Sequence, residues 1–211
     1  MTTATVDRPV SAPAERHFLT VVTAWMLTVG GSFGLLAAAT LTVEKINLLA
    51  DPGYVPTCSI NPILSCGSVM NTPQAAVFGF PNPLLGIAGF AVVTTLGVVL
   101  LATGGLPRWM WLGLQGGVTF GVVFVHWLIY QSLYAIGALC PYCMVVWAVT
   151  IPIFLYTTLQ NLRDNAAVLP RALRRATEQL ARYHSLVLVI WFAFVVAAIL
   201  RRFWDYWITL V

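Results

Sequence analysis

Charge-free apolar runs recur along this chain at lengths that match a lipid bilayer. An α-helix rises about 1.5 Å per residue, so about 20 apolar residues cross a hydrocarbon layer about 30 Å thick. Phe18 to Val43 contains no Asp, Glu, Lys or Arg, and Pro83 to Ala102 is equally bare before a Gly104-Gly105-Leu106-Pro107 turn. Trp109 to Tyr134 has His126 as its single ionisable interruption, and the run from Cys140 to about Leu162 follows a short Ala135-Ile136-Gly137 break. Leu186 to Leu200 is a fifth run, extendable through Phe203, Trp204, Tyr206 and Trp207, which suit an interfacial aromatic belt. The pattern predicts an all-α integral membrane protein with five membrane-crossing helices.

Composition agrees: 59% of residues are hydrophobic and 9% charged, far from the balance of a soluble domain. The net charge of +4 invites a nucleic-acid partner, but the placement of the eleven basic residues gives a different account. Arg8 and Arg16 precede the first run, Arg108 separates the second from the third, and Arg163, Arg171, Arg174, Arg175 and Arg182 separate the fourth from the fifth. These all fall on one side, against Lys45, Arg201 and Arg202 on the other. Basic residues stay cytoplasmic, so the N-terminus is expected in the cytoplasm and the C-terminus outside, with Arg201 and Arg202 snorkelling to the interface. The partners this implies are membrane lipid and no nucleic acid.

The first run is longer than the ~7–15 apolar residues of a cleavable signal, so it is expected to be retained. Residues 1–17 read as a mobile cytoplasmic tail, 163–184 as a cytoplasmic basic connector, and 185–211 as the fifth helix with the C-terminus. The stretch from Arg171 to His184 fits a surface-lying amphipathic helix with Leu169, Leu173, Leu180 and Tyr183 toward lipid, or equally a solvated connector.

Chemistry enters with four cysteines, all placed on the outer face by this topology. Cys58 and Cys66 lie in the outer loop 44–82, and Cys140 and Cys143 open the fourth helix where the chain re-enters from outside. An outer compartment lets disulfides persist. A Cys-x-x-Cys at a helix start puts its thiols beside unpaired N–H groups and the positive end of the helix dipole, which favours thiolate. The tetrapeptide Cys140-Pro141-Tyr142-Cys143 also occurs in glutaredoxins, but no soluble βαβ pattern surrounds it here. Pro56, Pro62 and Gly67 around the first pair suit a mobile shuttle, and a relay by thiol–disulfide exchange needs one pair that moves. Three readings are open on residues alone: a redox relay, two structural disulfides on a membrane scaffold, and a Cys₄ zinc site. A structural bridge within Cys-x-x-Cys closes too small a loop to restrain much chain.

Several features in order resemble the vitamin K epoxide reductase family in its bacterial form. They are the loop pair Cys58-Ser-Ile-Asn-Pro-Ile-Leu-Ser-Cys66, Thr72 six positions on, the stretch Phe78-Gly79-Phe80-Pro81-Asn82 leading to Gly86, and Cys140-Pro-Tyr-Cys143. The resemblance implies a four-helix bundle, residues 18–162, that encloses a quinone near the outer surface beneath the cysteine loop. Many bacterial members carry a fused thioredoxin-like domain. None follows the fifth run here, so the expected dithiol partner is a separate, DsbA-like thioredoxin-fold protein.

The family also implies roles. Reduced partner would reduce Cys58–Cys66, with Cys58 meeting the partner and Cys66 attacking Cys140; Cys143, one turn deeper, would face the quinone, menaquinone or ubiquinone. The expected enzyme is a protein-dithiol:quinone oxidoreductase of the inner (plasma) membrane that faces the periplasm or cell exterior and supports disulfide formation in exported proteins. DsbB-type quinone reductases do the same work, but with the Cys-x-x-Cys early in the chain. Asn82 would donate to a quinone carbonyl, or serve only as a turn residue between Pro81 and Pro83. Where some relatives have a quinone-binding Tyr, four positions after the second active cysteine, this chain has Trp147, whose indole donates but cannot relay a proton. Tyr130 and His126 are the remaining candidate contacts, an intramembrane His being costly unless functional or hydrogen-bonded to a neighbour.

Overall fold

The structure is a computed structural model that describes residues 13–51, 53–166 and 168–209. The expected tail lies outside the described residues through position 12; helix α1 (Pro13–Trp25) is already under way before the expected start of the first run at Phe18. A π-helical turn, Met26–Gly30, joins α1 to α2 (Gly31–Ala50) without a break. The loop then holds the short helix α3 (Cys66–Met70) and a 3₁₀ turn, Pro73–Ala76. Helix α4 (Asn82–Thr103), helix α5 (Arg108–Tyr130) with a terminal π turn Gln131–Ile136, and α6 (Pro141–Asp164) follow. The chain ends in α7 (Arg171–Arg182), α8 (His184–Arg202) and α9 (Trp204–Ile208).

Among the described residues, five segments are long and apolar enough to cross a membrane: Phe18–Ala50, Asn82–Thr103, Arg108–Ile136, Pro141–Asp164 and His184–Arg202. The chain is therefore an all-α, multi-pass membrane protein. The first span runs past its expected end at Val43, so the loop begins after Ala50 and not at residue 44. The charge at Glu44 ends the apolar run but not the helix: Glu44-Lys-Ile-Asn-Leu-Leu-Ala50 has no Gly or Pro to stop it, and the Glu44 carboxylate is met by Tyr54 and Thr57. Helix α4 ends as a left-handed cap at Gly104, φ 72°, a conformation that glycine adopts without strain.

In lipid, apolar side chains gain little by meeting one another, so helices associate through close contact of small residues. Here α2 packs on α4 and α6, and α5 on α6. At Gly97 of α4 a Cβ would come within 2.6 Å of the Thr28 backbone nitrogen, so only glycine lets α4 approach the first span this closely. Ala24, Leu27, Phe90, Leu100, Leu114 and Ile153 fill the seam between these helices. The first four spans thus form the core.

Helix α8 stands at the edge of that core, with Val189, Ile190 and Phe194 exposed as a lipid-facing span requires. The chain just past α8, through α9, departs from the expected aromatic belt. Phe203, Tyr206 and Trp207 turn inward onto Ile63, Leu64 and Leu139, and Trp204 alone of the four is largely exposed. Arg202 fixes that orientation by donating from Nε to the Leu133 carbonyl at 2.7 Å. On helix α7, Leu180 packs with Leu19, Leu155 and Leu159 on the end of the bundle, while Leu173 and Tyr183 stay exposed.

Candidate active site

The loop between the first two spans folds back on itself around Asn61. Its Oδ1 accepts from the backbone N–H of Ile63 (3.0 Å) and Leu64 (2.7 Å), and Ile60 N–H closes the turn on the Leu64 carbonyl at 2.8 Å. This Asx-type turn brings Cys58 and Cys66 to a Cα separation of 5.6 Å, where they form a disulfide. Ser65 then caps α3 by accepting from Ser68 N–H, so Cys66 opens a helix.

A two-bond backbone bridge decides what Cys66 meets. Leu139 N–H donates to the Ile63 carbonyl at 2.7 Å, and Ser65 N–H donates to the Leu139 carbonyl at 2.9 Å, pairing Leu64 with Leu139 in parallel. The next residues along the two strands of this bridge are Cys66, after Ser65, and Cys140. Their sulfurs stand 3.1 Å apart. Cys140 is the N-cap of α6, its Sγ accepting from Cys143 N–H at 3.4 Å. The Cys143 thiol beside it holds the Cys140 thiol below its ordinary pKa; burial opposes this, and the N–H groups of Cys143 and Tyr142 reinforce it.

The structure shows the loop pair in a closed state. Cys58, Cys66 and Cys140 are all buried, packed with Leu41 and Met70, while Phe203 and the α9 residues Tyr206 and Trp207 cover the neighbouring Ile63, Leu64 and Leu139. The sulfurs of Cys58, Cys66 and Cys140 lie within 4.8 Å of one another, the grouping a metal would need. Two of the three are joined in a disulfide and cannot act as thiolate ligands, so this donor set does not fit zinc in the oxidised-loop state.

Beneath the cysteines lies an apolar cavity of about 550 Å³, walled by Gly86, Phe90, Val93, Phe124 and Val146 among others, and reached by Cys143. Its size and its few polar groups are those of a small-ligand site. Trp147 lines it, and so does Asn82. The Asn82 amide also works as a turn residue, accepting from Val77 N–H at 3.2 Å and donating to the Gln74 carbonyl at 2.7 Å. One amide N–H remains for a ligand. Tyr130 and His126 are not brought to the cavity. Tyr130 is mostly exposed against Tyr134, and the His126 ring bonds the Val122 carbonyl through Nδ1 and meets Trp191 edge-on. Both sit on α5 turned toward its outer flank, a direction the helix period alone did not fix.

Sequence reasoning missed Glu44 and Lys45, which the structure places at the outer end of α2 directly under the loop. Lys45 donates to the Met70 carbonyl at 2.9 Å and lines the cavity with Gln74, Ser132 and Thr150. A charged pair closing an otherwise uncharged span was the available signal. Asn61 before a proline was another.

No curated protein matches the chain. The model of the vitamin K epoxide reductase family matches residues 25–158, a stretch that contains the two cysteine pairs, the bridge that joins them and most of the cavity wall. With more than half of its length matched, and with a loop disulfide set against a helix-capping dithiol, this chain belongs to the vitamin K epoxide reductase family of membrane thiol oxidoreductases.

Proposed function

We propose that the protein passes electrons from a periplasmic or extracellular dithiol protein of DsbA-like, thioredoxin-fold type to a membrane quinone, and so sustains disulfide formation in exported proteins. The observation that carries this reading is the 3.1 Å contact between Cys66, a disulfide member, and Cys140, a free thiol. Thiol–disulfide exchange requires a thiolate to reach a disulfide sulfur, and this is that approach.

The internal step runs from loop to helix. Cys66 thiolate attacks Cys140 of a Cys140–Cys143 disulfide, forming Cys66–Cys140 and releasing Cys143 as thiolate. Cys58 thiolate then attacks Cys66, closing Cys58–Cys66 and releasing Cys140. The pairing found here, loop disulfide and helix dithiol, is the product of that sequence, with the electrons at the cavity wall. The low pKa of Cys140 makes it a good leaving group. Cys143 faces the cavity, Asn82 offers an N–H, and the apolar wall excludes water. A bound quinone, menaquinone or ubiquinone, would supply a two-electron, two-proton acceptor for the dithiol and depart as quinol into lipid. Cys58 would meet the partner on the side of the disulfide away from Cys140, with the loop opening to admit it, since Cys58 is buried in the closed loop.

In this reading residues 163–184 lie in the cytoplasm and the cysteines outside the inner (plasma) membrane, which the cluster of basic residues at 163–182 supports. The test is a Cys143→Ser variant supplied with reduced thioredoxin-fold partner and a short-chain quinone. Quinol formation is expected to fall to background; a normal rate would sink the scheme. A scaffold reading predicts the opposite behaviour under quinone starvation, with the cysteine pairs staying oxidised while partner dithiol is present.

A further inference from the structure

Glu44 is the only charged side chain fully buried among the described residues, 4% exposed, and the electron path has no use for it. Its carboxylate accepts from the Tyr54 hydroxyl at 2.9 Å, from Thr57 N–H at 3.4 Å and from the Thr57 hydroxyl in a short hydrogen bond. All three donors come from the segment that runs into Cys58. A buried carboxylate is acceptor-only and costly unless its lone pairs are met, so it holds its donors firmly. Its neighbour Lys45 grips the other limb, donating to the carbonyl of Met70, the last residue of the helix that Cys66 opens. Two adjacent residues of α2 therefore fasten both limbs of the disulfide loop.

These fastenings matter most when the disulfide is open. While Cys58–Cys66 is bonded, the covalent link itself keeps Cys58 beside Cys66. Once a partner reduces it, the Asx turn and the Leu64–Leu139 bridge still hold Cys66 at Cys140. After Cys58, Gly67 N–H donates to the Ser59 hydroxyl at 3.3 Å and Ile60 N–H to the Leu64 carbonyl at 2.8 Å. The chain that leads into Cys58 is held by Glu44. We propose that Glu44 is a positioning residue that keeps the Cys58 thiol within reach of Cys66 in the reduced loop, so that Cys58 resolves the Cys66–Cys140 mixed disulfide. In that step the Cys58 thiolate bonds to Cys66, the Cys66–Cys140 bond breaks, and its electron pair leaves on Cys140 as thiolate. No outside oxidant is needed. The inference rests on the proposed relay and adds to it the residue that governs its second half.

The consequence is a specific trapped species. With the clasp loosened, Cys66 still attacks Cys140, but Cys58 arrives late and the mixed disulfide accumulates. The experiment uses the full purified chain in detergent, turning over with dithiothreitol and a short-chain ubiquinone, quenched in acid, alkylated and peptide-mapped. Glu44→Gln and the double variant Tyr54→Phe/Thr57→Val are compared with wild type; the double variant leaves α2 untouched should Glu44→Gln fold poorly. Expected are a kcat lowered by about tenfold, as a small misplacement of reacting groups produces, an unchanged KM for quinone, and a matching rise in the Cys66–Cys140 peptide. Slower turnover without that peptide would mean that Glu44 serves only the scaffold, and would overturn the proposal. Unchanged kcat in both variants would do the same while leaving the relay standing. A wild-type chain that reduces no quinone overturns the relay and this inference together.

Discussion

At the level of single residues, the proposed relay turns on Cys140, which is at once a helix cap, a neighbour of the Cys143 thiol and the contact of Cys66. Its pKa is lowered chiefly by the Cys143 thiol, against burial. An ordinary cysteine titrates near about 8.5. Cys140 therefore keeps its thiolate, and its reactivity, at pH values below that, and loses both as pH falls through the lowered pKa. Labelling by a small methanethiosulfonate, followed by mass spectrometry across pH, should show a midpoint under the ordinary thiol value. In Cys143→Ala the main lowering cause is gone and burial prevails, so the midpoint should move upward. Asn82 makes a second case. Asn82→Ala removes the bonds to Val77 and Gln74, and a loss of about 1 kcal/mol per bond is expected in unfolding measurements. Under the quinone reading, KM for quinone should rise as well.

Among the elements, the parallel bridge between Leu64 and Leu139 is the smallest unit that brings the two cysteine pairs together. Leu139→Pro deletes the N–H that donates to Ile63 and leaves the spans intact. Turnover should fall by about a hundredfold, the scale on which a misplacement of about 1 Å acts, while each pair separately remains reactive toward small disulfides or thiols. The fifth span reaches the same place from outside the matched family core. Arg202 satisfies the Leu133 carbonyl at the π turn that ends α5, and Phe203, Tyr206 and Trp207 lean on the bridge residues. Replacing Arg202 with Met should loosen this cover and speed reduction of Cys58–Cys66 by small dithiols, read as a faster first phase in stopped-flow alkylation.

Across the whole molecule, the close seam between the first span and α4 holds the core that carries the cavity. Gly97→Ala forces a Cβ to within 2.6 Å of a backbone nitrogen, which cannot swing aside, and should cost about 1–3 kcal/mol, seen as a lower unfolding temperature in detergent. Gly116→Ala is the control: nothing lies within 4 Å of its Cβ, and the better helix former should be neutral or stabilising by up to about 1 kcal/mol. The proposed orientation is tested on the same scale. A single cysteine placed at Arg175 in a chain lacking the native four should resist a membrane-impermeant maleimide in intact cells; modification from outside would reverse the topology.

How much of this was legible beforehand follows from the range of the interactions. Span number, helix type and the family were in the sequence, because crossing lipid demands about 20 uncharged residues wherever they occur and the cysteine spacings are local patterns. The same locality put all four cysteines at one end of the bundle, as alternation of direction between spans requires. What the sequence misjudged depends on contacts between distant residues. Glu44 ended the apolar run on paper, yet the helix runs on to Ala50, and only the fold shows that Tyr54 and Thr57 meet the buried carboxylate. The prolines of the loop gave no sign of its closed state, in which the bridge to Leu139 ties it down and Phe203, Tyr206 and Trp207 pack on that bridge. Tyr130 and His126 shared a helix with cavity residues, but which face of α5 meets the bundle is set by packing against α6 and not by composition. The sequence by itself determined that four cysteines would gather on one side of a membrane; only the tertiary structure decided that Cys66 and Cys140 touch, since that contact rests on backbone hydrogen bonds between segments more than seventy residues apart.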